Sequence, residues 1–495
     1  MSLALGPVAS ITRSTNYKWW VFASVALGLF LTVTDQSGIN IALPRIAQHF
    51  GADLPAAQWI ALGFTLSTSV MFMPVGRLSD IFGRTHVFML GFGVFVVAAV
   101  IGGSAVAFPV LIAAKIIQGI GVAGIEANGM AMVADIFPEK ERGKAIGLYM
   151  SIIGAGAVGG PVIGGTLVSL LGWRSIFVAS GCVGIVALLL AALVLRRGVG
   201  EQAGQTNRTS FDWTGAGLSA IVLVCFLLSI TNGHKLGWNS PAILAGFGAA
   251  VTALAVFIWW EGRAEAPMLD LSFFRSKVFT LGVSARFLSF LAGSAVYFIM
   301  PFYLVQGLGL EPSKAGLLMV PGSIAIAIWG PVSGRLSDKI GTRWLTVLGM
   351  ALAGIGMAMF AALDENSSTL DVMLSILVEG TGIGLFSSPN TSAIMTAIDS
   401  RKFSVASAFL NLVRTSAGLS GIAIFTAIVV FTMASQGFEP DLSVVSEASG
   451  DAVRLVFIAG MSRAFFAAAV AMFAAMVISL LRPENPVTHI DGQEG

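Results

Sequence analysis

The chain has 495 residues, of which 56% are hydrophobic and only 11% are charged. A soluble protein carries roughly a quarter charged residues, so this composition excludes a water-facing globular surface. The formal net charge is +2; no basic stripe with interleaved aromatics offers a nucleic-acid surface, and two cysteines and four scattered histidines offer neither a disulfide framework nor metal-ligand spacing.

The first residues are polar to mildly apolar and lead directly into a long apolar run. No small-residue cleavage site follows a short apolar core, so this run reads as a retained span and not a signal peptide. Crossing a hydrocarbon layer of about 30 Å takes about 20 apolar residues. In chain order the segments that meet this test are 19–41, 57–75, 86–106, 109–134, 145–170, 174–195, 213–231, 241–260, 279–304, 315–333, 344–363, 371–396, 404–431 and 461–481. They predict fourteen helices, because only helices satisfy their backbone internally in lipid and the runs are too long for barrel strands. A mildly amphipathic stretch, 445–460, precedes the last span. The longest polar break, 196–212, reads as a linker.

Loop cations give the orientation. With the N-terminus inside, nineteen of the 28 Lys and Arg residues fall on the cytoplasmic side and five outside: Arg45, Arg174, Lys235, Lys314 and Arg454. Four lie within spans: Lys115, Arg286, Arg414 and Arg463. A bias that alternates through every loop predicts both termini in the cytoplasm and a multi-pass protein of the cell membrane.

After span 2 the chain reads Gly76-Arg77-Leu78-Ser79-Asp80-Ile81-Phe82-Gly83. It nearly repeats this 258 positions later as Gly334-Arg335-Leu336-Ser337-Asp338-Lys339-Ile340-Gly341. Glycine permits a tight inter-helix turn, and the Asp is expected to cap the next helix or to pair with a loop arginine such as Arg84 or Arg142. A charged turn copied once per half marks an internal duplication, a signature of secondary transporters. The offset predicts an N-terminal six-helix bundle over 1–195, a linker with two inserted helices over 196–277, and a C-terminal six-helix bundle with a short tail over 278–495. Span 5 carries Gly147, Gly156, Gly160, Pro161, Gly164 and Gly165, a spacing that lets helices approach closely, with a proline that favours a bend.

These residues resemble the major facilitator superfamily. The paired loop matches its signature between helices 2 and 3, and the span 5 pattern matches its antiporter signature. Asp35-Gln36-Ser37-Gly38-Ile39-Asn40-Ile41-Ala42-Leu43-Pro44 is similar to the first-helix motif of the fourteen-helix drug:proton antiporter branch. Lys115, Gln118, Gly119 and Gly121 also match that branch, as do Pro138 with Arg142 and Gly143, Phe211-Asp212-Trp213 with Gly215, Tyr303 with Gln306, and Pro321-Gly322. The chain departs from the pattern at Lys115, where the family has arginine, at Ile81, where it has a basic residue, and at Phe64, where an aromatic hydroxyl is common. The resemblance implies an all-α polytopic fold of two six-helix bundles plus an inserted pair.

Charge inside a bilayer costs about 2.5–3.5 kcal/mol on insertion scales, so such residues face a cavity or a partner. Asp35 is in span 1, Lys115 and Glu126 in span 4, Arg286 in span 9 and Glu379 in span 12; the resemblance implies that these four helices line a central cavity. Asp35 and Lys115 each lie about six residues from an outer span end, about 9 Å deep, and are expected to pair. Such a pair is either a proton-coupling element or a permanent structural ion pair. Glu126, nearer the cytoplasmic side, is expected to exchange a proton or meet a cationic substrate, the alternative being a packing residue. Glu379 has the same standing, and Arg286 is expected to neutralise one of them or to bind an anionic group. Arg414 is expected to pack against glycines or snorkel, and Arg463 to anchor a span end. Phe298 and Tyr303 are further candidates for the cavity wall.

The resulting expectation is a proton-driven exporter of small amphipathic compounds that works by alternating access, with the repeated Gly76, Asp80, Gly83, Arg84, Arg142, Gly334, Asp338 and Gly341 set as its cytoplasmic gate. It needs no cofactor beyond the proton gradient, takes protons, lipid and a small molecule as partners, and acts as a monomer. A specific metabolite or lipid transporter, exporter or proton symporter, is the alternative; a sensor that moves nothing fits less well. No nucleotide loop, nucleophile constellation or metal cluster points to an enzyme.

Overall fold

The computed structural model describes residues 16–52, 54–195, 211–265, 267–438 and 451–483. The linker at 196–210, the tail from 484, the cations Arg13, Arg196, Arg197 and Arg208, and residues 445–450 of the amphipathic stretch lie outside the described residues. Among those described there are fourteen helices long and apolar enough to cross a membrane. The first four are α1 (Tyr17–Phe50), α2 (Leu54–Phe82), α3 (Arg84–Gly103) and α4 (Phe108–Ile136). Next come α5 (Glu139–Leu171), α6 (Arg174–Val194), and the inserted pair α7 (Trp213–Leu236) and α8 (Pro241–Glu261). The rest are α9 (Lys277–Phe302), α10 (Pro312–Ile340), α11 (Arg343–Ala361), α12 (Thr369–Thr396), α13 (Phe403–Ser435) and α14 (Asp451–Leu481).

Helix starts follow local chemistry. Asp212 accepts from the Gly215 N–H at 2.8 Å to cap α7. Ser276 caps α9 through Phe279 N–H, and Ser368 and Asp371 form a reciprocal capping box on α12. Such caps satisfy donors that a helix start leaves unpaired.

The helices run past the apolar windows. The repeated Gly-Arg-Leu-Ser-Asp segments are not turns: they are the last two turns of α2 and α10, which end at Phe82 and Ile340. Only Gly83 (φ +93°) and Gly341 (φ +87°) leave the helical conformation, in a region open to glycine. One residue in the first copy and two in the second thus reverse the chain where a whole segment was expected to. Similarly, α14 starts at Asp451, ten residues before the expected span, so Arg463 is internal to the helix and donates to Thr432 Oγ1 (3.4 Å) instead of anchoring an end.

Closer contacts divide the chain into two units, one of residues 1–137, 152–272 and 398–423, the other of 138–151, 273–397 and 424–495. The division falls inside α5 and α13. The inserted pair belongs to the first unit, where α7 packs on α2. Apolar clusters in that unit gather around Ile39, Leu111 and Phe177, and around Phe72, Ala127 and Ala408. The second unit is built on Met300, Tyr303, Met357, Phe360 and Phe465 from α9, α11 and α14 and the turn after α9.

Candidate functional site

In the first unit α1 and α4 bring Asp35 and Lys115 together. The ammonium donates to Asp35 Oδ2 at 2.7 Å, and Ser180 Oγ on α6 donates to Oδ1 at 2.7 Å. The rings of Phe64 and Phe177 lie 5.3 and 5.0 Å from Lys115 Nζ. Pair and ring faces together compensate an ammonium that is almost wholly buried. Because both carboxylate oxygens are engaged, protonating Asp35 breaks a charge-assisted bond and leaves the lysine to find another acceptor.

About 16 Å further along α4, counted as eleven residues of helix, Glu126 meets a different cation. Arg414 Nη2 on α13 donates to Glu126 Oε2 at 2.6 Å, Thr32 Oγ1 donates to Oε1 at 3.3 Å, and Asn411 Nδ2 donates to the Glu126 backbone carbonyl at 3.1 Å. Glu126 is therefore a paired carboxylate, and Arg414 neither packs on glycines nor snorkels.

In the second unit Arg286 on α9 donates to Thr391 Oγ1 at 2.9 Å and stacks over Phe290 at 5.0 Å. Glu379 on α12 is 7% exposed, and among the described residues no hydrogen-bond or ion-pair partner holds it. Its backbone is pressed against Gly356 of α11, where a Cβ would come within 2.7 Å of the Glu379 N and Cβ. Tyr303 is enclosed, with 0% exposure, and its hydroxyl donates to the Asp364 carbonyl at 2.6 Å, which removes it from any open cavity wall. Phe298 is partly buried against the same core, its ring tilted at 52° to that of Phe302 with centroids 5.6 Å apart. Its neighbour Tyr297 is the exposed ring, at 60%.

The repeated acidic residues also take up positions at helix starts. Asp338 accepts from the N–H groups of Gly143 (3.0 Å) and Lys144 (3.1 Å) in the second turn of α5. Asp80 faces Ser404 and Val405 at the start of α13 and lies 4.0 Å from Arg84 Nε. Arg84 itself donates to Ser404 Oγ (2.9 Å) and to the Ser400 carbonyl, and meets Asp135 at 3.3 Å. Gly76 lies within van der Waals reach of the α13 backbone. Each copy thus sets its carboxylate at the positive end of a 33-residue helix, α13 for the first and α5 for the second. Neither Asp caps the helix that follows it, as Gly83 and Thr342 occupy those caps. Arg142 reaches Thr396 Oγ1 at 3.5 Å.

A family model, the Major Facilitator Superfamily, matches residues 25–422. The chain belongs to this superfamily. Multidrug resistance protein Stp of Mycobacterium tuberculosis is 30% identical over 85% of this chain and 77% of its own length. Riboflavin transporter RibZ of Clostridioides difficile is 30% identical over 83% of this chain and 88% of its own. The crystal structure of the human organic anion transporter MFSD10 shares the fold, with a TM-score of 0.66 at 14% identity over 93% of this chain and 99% of that one. As a Major Facilitator Superfamily member the chain is a multi-pass membrane transporter and not an enzyme.

Sequence reasoning about this superfamily chain missed Ser180, Thr32 and Thr391, and assigned Arg414 to the wrong task. A buried hydroxyl on a partner helix leaves no spacing signal. Arg482, placed among the loop cations, is 2% exposed; it donates to Asn390 Oδ1 (2.9 Å), Thr342 Oγ1 (3.0 Å) and Thr346 Oγ1 (3.2 Å). Burial, helped by the neighbouring charge of Arg343, pushes its guanidinium down to about 10.

The glycines of the span 5 motif separate into three groups. Gly156, Gly160 and Gly164 press on α1: a Cβ on each would come within 2.9 Å of Val33 Cβ, 2.7 Å of the Thr34 carbonyl and 2.8 Å of Gly38 Cα, respectively. Gly147 meets Pro331 Cα of α10 at 2.8 Å by the same measure. Gly165 meets only Ile41, at 3.8 Å.

Proposed function

We propose that the chain is a proton-coupled antiporter that exports small amphipathic compounds by alternating access. The observation that carries this reading is the Asp35–Lys115 pair with Ser180, a neutralised and nearly inaccessible carboxylate in the membrane span. Proton arrival at Asp35 frees Lys115, and re-ionisation recovers the pair, so the protonation state is tied to the packing of α1 against α4 and α6. The relatives named for multidrug resistance, and the tetracenomycin C resistance and export protein of Streptomyces glaucescens (28% identical), support export. Positive-inside loops support a cell-membrane protein with cytoplasmic termini that takes up protons from the outer side.

The second reading is a transporter of one specific anionic metabolite. Arg286, a buried guanidinium on α9 beside Thr391 and Phe290, is a suitable anchor for an anionic group, and one relative is named a riboflavin transporter.

The test is drug-driven proton exchange in inverted vesicles. Asp35→Asn should lower it at least tenfold. The doubly neutral Asp35→Asn/Lys115→Met leaves no stranded charge, so it should insert and fold yet remain inactive. Near-wild-type exchange by the double variant would make the pair structural and sink the proton-coupling reading. A susceptibility panel in an efflux-deficient bacterium separates broad export from transport of one compound.

A further inference from the structure

Two guanidiniums of the second unit cross over where α11 begins and α14 stops. Arg343, the first residue of α11, donates through Nη2 to the Leu480 carbonyl at 2.6 Å, in the last turn of α14. Arg482, one residue past α14, donates back to Thr342 Oγ1 (3.0 Å) and Thr346 Oγ1 (3.2 Å) at the start of α11, and to Asn390 Oδ1 (2.9 Å) of α12. Every one of these acceptors is neutral. Arg482 is 2% exposed, and the charge that bears on it is that of Arg343, of the same sign. Among the described residues neither arginine pairs with a carboxylate. Asp338, five residues before Arg343, is spent on the Gly143 and Lys144 N–H groups. Arg482 also lies at the positive end of α11, where a cation is disfavoured. Buried charge without a counter-ion is costly, and here two guanidiniums and a helix start add up without one.

The donors left over lie at the surface. Arg343 is partly exposed, and among the described residues only its Nη2 makes a hydrogen bond. Thr342, also partly exposed, caps no N–H of α11 with its side chain. Helix starts of this kind hold phosphate groups, because backbone donors and the dipole act together. The surroundings are apolar. Arg343 lies over the exposed Trp344 ring, 5.7 Å from its centroid. Phe473, Val477 and Leu481 are exposed at four-residue spacing on one face of α14, and a Cβ on Gly354 of α11 would meet the Phe473 ring at 3.0 Å. That face runs about 12 Å from Leu481 into the span at 1.5 Å per residue, most of the depth of one leaflet of a hydrocarbon core about 30 Å thick.

We infer that the corner of Arg343, Thr342 and Arg482 binds the phosphate of an anionic phospholipid such as phosphatidylglycerol, from the leaflet that the cation bias assigns to the cytoplasm. The phosphate takes the free edge of Arg343 and the start of α11. Arg482 is a positioning charge that acts through Thr342, and an acyl chain lies along Phe473, Val477 and Leu481. This apolar face favours a lipid over a free phosphate ion. It also favours a lipid over the acidic tail, whose Glu484, Asp491 and Glu494 follow Arg482 in the chain. The site does not depend on the coupling ion or on the direction of transport.

The full chain in dodecyl maltoside is titrated with phosphatidylglycerol, with bound lipid counted by native mass spectrometry and stability followed by thermal unfolding. One phosphatidylglycerol should be retained, with a saturable rise in Tm. On unaltered protein, phosphatidylcholine, whose choline cancels the phosphate charge, and glycerol 3-phosphate, which lacks the chains, should each bind at least tenfold more weakly. Arg343→Gln and Arg482→Gln should each lower the affinity tenfold or more, and Arg482→Lys should restore most of it. Arg263→Gln, which removes an exposed cation at the end of α8, should leave it unchanged, as should deletion of 484–495. Equal binding of phosphatidylcholine, or equal losses in Arg343→Gln and Arg263→Gln, would overturn the site in favour of diffuse attraction to a basic surface. Glycerol 3-phosphate binding as tightly as the lipid would overturn the lipid assignment. A tenfold gain on deleting the tail would make the tail the occupant and overturn it as well. Should Arg482→Gln fail to fold, Arg343→Gln and the three ligands on unaltered protein decide.

Discussion

Glu126 and Arg414 stand 288 positions apart on α4 and α13, and no local spacing rule connects them. The sequence identified the carboxylate as exceptional because charge is costly in a span, but it named Arg286 as a neutraliser and left Arg414 to packing or snorkelling, whereas Arg414 is the partner. Pairing changes the expected consequence of mutation. Glu126→Gln leaves a guanidinium that is 18% exposed facing a neutral amide, and a broken buried pair costs about 3–5 kcal/mol, less when one partner reaches solvent. The variant should therefore lose thermal stability in detergent more than it shifts substrate choice, with Arg414→Gln doing the same. The double variant Glu126→Gln/Arg414→Gln should recover most of the loss, because it strands no charge. Additive losses in the double variant would show that the two side chains contribute independently. Asp35 and Lys115 were easier to read, since their equal depth from span ends on neighbouring helices already brought them level. Their third member, Ser180, was not legible: a serine in an apolar run is common, and only the packing of α6 aims it at Asp35.

At the scale of elements, the span 5 motif was visible as a set of small residues, but its division of labour was not. Gly156, Gly160 and Gly164 recur every four residues and so share one face of α5, the face that meets α1. Gly160→Ala and Gly164→Ala each push a methyl into backbone or into Ser37, and overpacking of this kind costs about 1–3 kcal/mol. Gly165→Ala meets only Ile41 at ordinary contact distance and should be near neutral. Thermal unfolding of the three variants checks this; a Gly165→Ala loss equal to that of Gly164→Ala would contradict the face assignment. The repeated acidic segments carry a second prediction. Asp338 accepts two backbone N–H groups of α5, and Asn keeps an acceptor there while Lys puts a cation at the positive end of the helix. Transport should fall modestly for Asp338→Asn and by a further tenfold or more for Asp338→Lys. Equal activities would remove the helix-end contact from the working of the gate. Here the copied sequence announced an equivalence, but polarity disguised the last two helical turns as a loop.

For the whole molecule, fourteen spans were legible because hydropathy is the strongest signal a bilayer imposes, whereas helix ends were not. Once a helix leaves hydrocarbon, its polar turns persist on capping and packing, as α1 does to Phe50 and α14 does from Asp451. An even number of spans puts both termini on one side, and the cation bias predicts that this side is the cytoplasm. This orientation matters for mechanism. Asp35 lies eight residues from Leu43, the end of its span, and Lys115 seven from Phe108, so the pair is about 10–12 Å from the boundary that the bias puts outside. Under the proposed proton coupling, protons from an acidic exterior would travel a short distance to Asp35 in this orientation; in the opposite one the pair would serve the cytoplasmic half. Single cysteines in a Cys182→Ser/Cys225→Ser background decide the matter. Ser104→Cys and Glu365→Cys, exposed in the α3–α4 and α11–α12 loops, should react with an impermeant maleimide on intact cells. Arg263→Cys and Arg401→Cys, exposed at the opposite helix ends, should react only after permeabilisation. The inverse pattern would reverse the orientation and with it the source of the coupling proton, while labelling of all four on intact cells would contradict the alternation of spans itself.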